Sequence, residues 1–490
     1  VKPLTVLVPF SREPFFEKNL DAFLTADPVE EVVVLCRESE PFSRDRCRRI
    51  AAQGFFSGRT LRTVLEVCRT PFLLCLPPPS RNIRLAGDTL ERFCDTAGTT
   101  SAGMVYSDFD DLDGSRRIHH PLNDYQTGSV RDEFDFGPMV LFSLAAVRTA
   151  LDRHGDIPEA EFAGLYDLRL KVSIDHSIFR IRKALYAAAV PDGPADAQKI
   201  FSYVDPRNAA SQKEMEAVFT DYLRKIDAYL APNFKEVERV PYPFPVEASV
   251  VIPVRNRKET IAGAVKSALS QQTDFLFNVI VVDNHSTDGT TVVLSDLNRQ
   301  YSALKHVIPE RRNLGIGGCW NEALFSEACG RYAVQLDSDD LYSSNGSLQK
   351  IMDVFHRGSF AMVIGSYTLV NADLKEILPG LIDHREWTDE NGRNNALRIN
   401  GLGAPRAFNT HIMRKIGFLN VSYGEDYTAA LRICREYRIG RIYESLYWCR
   451  RWSGNTDASP GIEEVNRNDA FKDKVRTKEI LARQKMNRGA

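Results

Sequence analysis

From Ala248 onward, apolar and polar residues come in blocks of two kinds. Short unbroken apolar runs, "ASVVIPV", "FNVIVVDN" and "RYAVQLD", read as strands buried on both faces. Between them, "KETIAGAVKSALSQQ" places Ile261, Val265, Ala268 and Leu269 at helical spacing, and "DGTTVVLSDLNRQY" and "GGCWNEALFSEACG" also read as helices. "ALKHVIPE" adds a short strand. This alternation predicts a mostly parallel sheet covered by helices on both faces. Ligands of such sheets lie beyond the carboxyl ends of the strands. Asp283 and Asp337 stand where strand patterns stop, so both are expected at one crevice.

The first half repeats the order. "LTVLVPFSREPFFEKNLDAFL" corresponds to "ASVVIPVRNRKETIAGAVKSAL", "EEVVVLCRES" to "FNVIVVDNHS" and "PFLLCLPPPS" to "RYAVQLDSDD". "YDLRLKVSIDHSIFRIRKALY" matches "YTAALRICREYRIGRIYESLY" without a gap. A nearly constant offset of about 260 residues is the mark of an internal duplication. Between the halves, Ala231 to Ser249 holds four prolines and no helical period, as a semi-rigid spacer would. The expected organisation is α/β, with two tandem Rossmann-like domains at 1–235 and 248–460. A linker at 236–247 joins them, and a charged helical tail follows at 461–490.

Composition narrows the class. A formal net charge of −2 over 490 residues argues against nucleic acid as a partner. The nine cysteines are odd in number and contain no C-x-x-C pair, which points to buried thiols in a reducing compartment and away from zinc. No apolar segment approaches the roughly 20 residues that span a bilayer. The N-terminal "VKPLTVLVPF" is a strand pattern without a signal-peptide cleavage region. The expectation is a cytoplasmic protein. The basic residues of the tail leave room for peripheral contact with the inner face of a membrane, weakened by the tail's own acids.

The candidate chemistry begins at "VQLDSDDLYSS", where Asp337, Asp339 and Asp340 crowd together after an apolar run. Carboxylates so close repel one another unless a cation or a proton intervenes. Mg²⁺ or Mn²⁺ held by one or two carboxylates, with diphosphate oxygens and water, would remove the repulsion. A solvated turn capping the next helix is the plain alternative. An EF-hand is excluded, because Leu348 stands where the twelfth-position Glu belongs. Asp283 and Asp288 flank a turn into a helix, and Asn256 follows "VIPV" in the same way. Gly315, Gly317 and Gly318 permit close backbone approach, but Trp320 occupies the third glycine position of a dinucleotide fingerprint. Glu425 and Asp426 precede a helical pattern, as helix-capping acids or as a proton acceptor.

Taken in order, "VVIPVRNR", "VIVVDNHSTDGT", "NLGIGGCWNEAL", "QLDSDDLY" and "YGEDYTAALRI" resemble family 2 glycosyltransferases of the GT-A fold, over roughly residues 247–455. The resemblance implies two tandem GT-A-like domains. It implies an inverting, metal-dependent transfer of a sugar from a nucleoside-diphosphate sugar, UDP-sugars favoured, to a hydroxyl of a glycan or lipid-linked acceptor. Carried over, Asp426 is the catalytic base with Glu425 beside it, and Asp339 and Asp337 take Mg²⁺ or Mn²⁺. Pro253, Asn256, Asp283, Asp288, Asp337, Ser338 and Arg450 line the donor. Relatives often carry a late His where this chain has Arg450 and Arg451, and Trp448 replaces the Gln of the processive Q-x-x-R-W. "HREWTDENGRNNALRINGLGAPRAFN" falls where relatives bind acceptor.

In the first half, Cys36 stands at the position of Asp283, Pro77 and Pro79 at those of Asp337 and Asp339, and Gly164 and Leu165 at those of Glu425 and Asp426. That half is expected to be non-catalytic. A sugar-phosphate nucleotidyltransferase is the competing enzyme class, but the Gly-rich triphosphate loop it needs is absent. A nucleotide-sugar-binding scaffold is the competing non-enzyme.

Overall fold

The computed structural model describes residues 2–52, 54–114, 116–190, 206–238, 243–452 and 461–489. The chain divides into two compact units. Unit 1 comprises residues 2–190, 207–229 and 461–489, and unit 2 residues 230–452. The chain thus enters unit 2 at Leu230, a few residues before the proline-rich segment. That segment's centre, 239–242, lies outside the described residues. The stretch before it is tied into unit 2: Asn394 Oδ1 accepts from Leu230 N–H at 3.0 Å, and Glu436 O from Lys235 N–H at 2.8 Å.

Unit 1 contains strands β1 (Leu4–Pro9), β2 (Val29–Cys36), β3 (Cys47–Ala51), β4 (Phe72–Cys75), β5 (Ile83–Leu85), β6 (Met104–Ser107), β7 (Phe109–Asp113), β8 (Arg116–His120), β9 (Val140–Ser143), β10 (Ile178–Ile181) and β11 (Tyr186–Ala189). Unit 2 contains β12 (Ala248–Val254), β13 (Phe277–Asp283), β14 (Leu304–Val307), β15 (Tyr332–Gln335), β16 (Leu341–Tyr342), β17 (Phe360–Val370), β18 (Glu376–Ile382), β19 (Arg406–Asn409) and β20 (Arg438–Arg450). The main sheet of unit 1 runs β3-β2-β1-β4-β9-β6-β10, and that of unit 2 runs β14-β13-β12-β15-β19-β17-β20-β16, with β18 on β17. Strand for strand, the seven shared positions have the same direction, with β9 and β19 antiparallel to both neighbours. The duplication read from sequence is therefore present as a repeated topology. Over these seven strands each sheet is mostly parallel, as expected, with β9 or β19 the one reversed strand. β19 gives no strand signal in its sequence, and it runs against the strands on either side.

The apolar runs behave as two-faced strands. In β12 every residue but Pro253 is buried. One face packs on the helix Ile261–Leu269 through Ile261, Ala264, Val265 and Ala268. Beyond its main sheet, unit 1 has a small sheet β5-β11-β7-β8. The tail helix Ile462–Asn487 belongs to unit 1 and buries a charged face: Lys472, Asp473, Arg476, Glu479 and Arg483 are all under 9 % exposed. Asp473 accepts hydrogen bonds from Ser129 Oγ at 2.8 Å, Arg131 Nε at 3.3 Å and Arg476 Nη1 at 2.8 Å. Buried charges of this kind persist only when paired. On this face the tail's charge is internal wiring, which composition alone does not distinguish from a solvated face. Among the described residues no helix is long and apolar enough to cross a membrane.

Candidate functional site

The carboxyl ends of β12, β13 and β15 and the start of the helix Glu425–Cys434 carry the predicted residues. Asn256 adopts a left-handed conformation (φ +55°) just past β12. Its N–H donates to Ser286 Oγ at 2.9 Å and its Oδ1 accepts from Thr287 N–H at 2.8 Å, joining the loops after β12 and β13. Asp288 accepts from Thr290 N–H at 2.9 Å, Thr290 Oγ1 at 2.6 Å and Lys258 N–H at 3.0 Å, so its carboxylate braces the same two loops. Pro253 is half-buried in β12, opposite Val282.

Asp283 ends β13 but is fully buried. It accepts from Ser286 N–H at 3.0 Å and Thr291 Oγ1 at 2.5 Å, and His306 Nε2 lies 3.5 Å away. Burial opposes its charge, but the nearby His306 ring and the bonds from Ser286 and Thr291 outweigh burial and hold its carboxyl well below the usual range. In this conformation Asp283 fixes the loop from behind.

The acid cluster forms a turn closed by Asp340 N–H donating to Asp337 O at 3.2 Å, with Ser338 buried inside it. Gln335 Nε2 donates to both oxygens of Asp337, at 3.0 and 3.2 Å, and Asp337 N–H donates to Tyr447 Oη at 2.9 Å. Burial, and then the charge of Asp339, push the Asp337 carboxyl up. Asp340 is pushed well above the usual range by burial and then by Asp337 and Asp339. Arg257 Nε lies 3.7 Å from Asp339 Oδ2. Arg450 clasps the turn from β20, its N–H donating to Asp340 Oδ1 at 2.8 Å and its Nε to the carbonyl of Asp339. Among the described residues, no three His, Cys, Asp or Glu side chains are arranged to hold an ion. The donor set that Asp337 and Asp339 offer, carboxylate oxygens alone, suits a hard cation that draws its remaining ligands from diphosphate and water.

Gly315, Gly317 and Gly318 serve the chain itself. A Cβ on Gly317 would lie 1.9 Å from Leu419 O, and one on Gly315 2.5 Å from Val421 C. Gly317 N–H donates to Val421 O at 3.0 Å, and Gly315 N–H to Asn420 Oδ1 at 2.7 Å. The helix Ile316–Phe325 is thereby pressed on the loop that delivers Glu425, which is buried at the start of its own helix. Burial, then the charge of Asp426, push the Glu425 carboxyl up to about 8.

Two residues not singled out in the sequence join the clusters. Arg406, the first residue of β19, places Nη2 2.8 Å from Asp426 Oδ2. Its N–H and Nη1 donate to Gln335 Oε1 at 3.2 and 3.1 Å. A continuous path therefore runs Asp337, Gln335, Arg406, Asp426. The signal that would have found it is Gln335 itself, a buried polar residue within an apolar strand run. In unit 1, β4 pairs Phe72 with Ser143 and Cys75 with Val140, where β15 pairs Tyr332 with Asn409. Cys75 and Val140 thus stand at the positions of Gln335 and Arg406. Cys36 ends β2 as Asp283 ends β13.

Residues 249–416 match the family model "Glycosyl transferase family 2". A putative teichuronic acid biosynthesis glycosyltransferase of Bacillus subtilis is 34% identical over 128 residues, 26% of this chain and 48% of that protein. The GalNAc(5)-diNAcBac-PP-undecaprenol beta-1,3-glucosyltransferase of Campylobacter jejuni is 31% identical over 118 residues, 24% of this chain and 37% of that protein. The chain spans less than half the length of these curated relatives. Among solved structures, S. aureus TarS 1-349 in complex with UDP-GlcNAc is similar at a TM-score of 0.38 and 22% identity, covering 49% of this chain and 73% of that one. Residues 249–416, all within unit 2, are thus similar to glycosyl transferase family 2, and they carry in order the motifs by which the sequence resembles it.

Proposed function

We propose that unit 2 is an inverting, cation-dependent glycosyltransferase. It moves a sugar from a nucleoside-diphosphate sugar to a hydroxyl of a glycan or lipid-linked acceptor. One observation carries the reading: the path Asp337–Gln335–Arg406–Asp426 ties a crowded acid turn at a strand end to a carboxylate engaged by a guanidinium. The family match and the lipid-linked acceptor in the name of the C. jejuni relative support it. Asp426 takes the proton of the acceptor hydroxyl. That oxygen bonds to the anomeric carbon as the bond from the carbon to the diphosphate oxygen breaks, and its electron pair leaves with the nucleoside diphosphate. Asp339 and Asp337 would hold Mg²⁺ or Mn²⁺, which would neutralise the charge on the diphosphate. Pro253, Asn256, Asp288, Ser338 and Arg450 shape the donor wall, and Asp283 holds its loop. Unit 1 is proposed to be non-catalytic, because Pro77, Cys75, Val140 and Leu165 occupy the four positions of the path.

A hydrolysis screen over UDP-, GDP- and dTDP-sugars, with UDP-sugars first, tests this in Mn²⁺ and in EDTA. Turnover in Mn²⁺ only is expected. Asp426→Asn should keep donor binding and lose about 10²–10⁴-fold in rate, the contribution of a general base. No metal-dependent turnover with any donor overturns the reading.

A further inference from the structure

The two units share a topology, and also the fittings around the site. Gly58 N–H donates to Ala160 O at 2.8 Å as Gly317 N–H does to Val421 O at 3.0 Å. Ser143 Oγ caps the helix after β9 by accepting from Ala146 N–H, and Asn409 Oδ1 caps the helix after β19 by accepting from Ile412 N–H. The fold thus closes in unit 1 with Cys75 and Val140 where unit 2 has Gln335 and Arg406. A largely buried guanidinium is costly unless paired, and this sheet is built without one in unit 1. Arg406 occurs only in the unit that has the acids, and it is bonded to one of them.

We propose that Arg406, seated on Gln335, is a positioning residue for the transfer reaction. It fixes the carboxylate of Asp426 and so selects Asp426, not Glu425, as the group that takes the acceptor proton. The inference rests on the transferase reading of unit 2. Two adjacent acids at one helix start are otherwise equivalent candidates. The guanidinium fork, oriented by two bonds to Gln335 Oε1, reaches Asp426 Oδ2. Glu425 is buried under 9 % exposed beneath it, and its raised carboxyl keeps a proton at neutral pH. Arg406 from β19 and Asp337 from the acid turn both act on Glu425, and Asp337 acts on Arg406 as well. Asp426 is the member of the pair in contact with the guanidinium.

The test compares the full chain with Arg406→Gln and Arg406→Lys. Carboxyl-carbon NMR titration of Asp- and Glu-labelled protein needs no donor. Calorimetry with UDP and Mn²⁺ reports an intact fold and donor site, and the pH profile of donor hydrolysis reports the base. In Arg406→Gln, Asp426 should titrate about one to three pH units higher. The acidic limb of the profile should move with it, and the rate should fall at least tenfold while UDP affinity stays within about twofold. In Arg406→Lys the limb should stay and the rate should still fall, because the charge is kept and the fork is lost. An unmoved Asp426 titration in Arg406→Gln overturns the inference, as does full activity of Arg406→Lys. UDP affinity falling as far as the rate makes Arg406 a donor-binding residue and also overturns it. A wild type that turns over no donor overturns the transferase reading instead, and the titration tells the two failures apart.

Discussion

Gly317 lies so close to Leu419 that a Cβ on it would meet the Leu419 carbonyl oxygen at 1.9 Å, and Gly58 stands in the same relation to Pro158 O, also at 1.9 Å. Backbone presses on backbone there, so neither side has a flexible end to yield. Gly317→Ala should cost about 1–3 kcal/mol of stability. It should also push the 419–425 loop outward, lowering donor hydrolysis more than UDP binding. Urea unfolding with calorimetry checks both, and an unchanged midpoint would show that the contact is slack.

Asp339→Ala removes a carboxylate from the turn that Arg450 clasps. Loss of a residue that merely orients a metal ligand costs roughly tenfold to a hundredfold, so loss of a ligand should weaken UDP binding in Mn²⁺ by about a hundredfold or more. In EDTA the variant and the wild type should bind UDP equally weakly. Titration calorimetry in the two buffers decides it.

Glu425 gives a pH signature. Its folded carboxyl is raised to about 8, above its ordinary 4.5, by burial and then by Asp426. The native state therefore holds this proton more tightly than the unfolded chain does. The contribution to stability is complete below about 4.5 and is lost as pH rises through about 8. Unfolding free energy should fall over that window in the wild type and fall less steeply in Glu425→Gln. Parallel slopes from urea titrations at several pH values would refute it.

Asp473→Ala leaves Ser129, Arg131 and Arg476 facing the space of a lost carboxylate inside unit 1. Breaking a buried charge network by removing one partner costs about 3–5 kcal/mol. Thermal unfolding should show that loss, and Asp473→Asn should recover part of it.

The legible features were those carried by period and by spacing. The strands around Asp283 and Asp337 were visible because a two-faced strand must be apolar throughout, and the duplication because offsets repeat. β19 was not visible. Its four residues, Arg406–Asn409, are too few for a period, and its leading Arg reads as a loop residue until β15 supplies Gln335. The same holds for the glycines: "GIGG" announces a close approach, but not that the partner is Leu419–Ser422 of the chain itself. Asp283 stands at a strand end, as its apolar run predicts, whereas its engagement by His306, Ser286 and Thr291 depends on contacts no local pattern encodes.

The helix Ile462–Asn487 completes unit 1 after the whole of unit 2 has passed. Domains on a ribosome generally mature in the order they are made, and here that order is reversed for the finishing step. Unit 2 is fully synthesised while unit 1 still lacks Asp473 and the partner it offers to Arg131. A chain that stops just before Ile462 therefore injures unit 1 first and leaves the residues of the candidate site in unit 2 covalently intact.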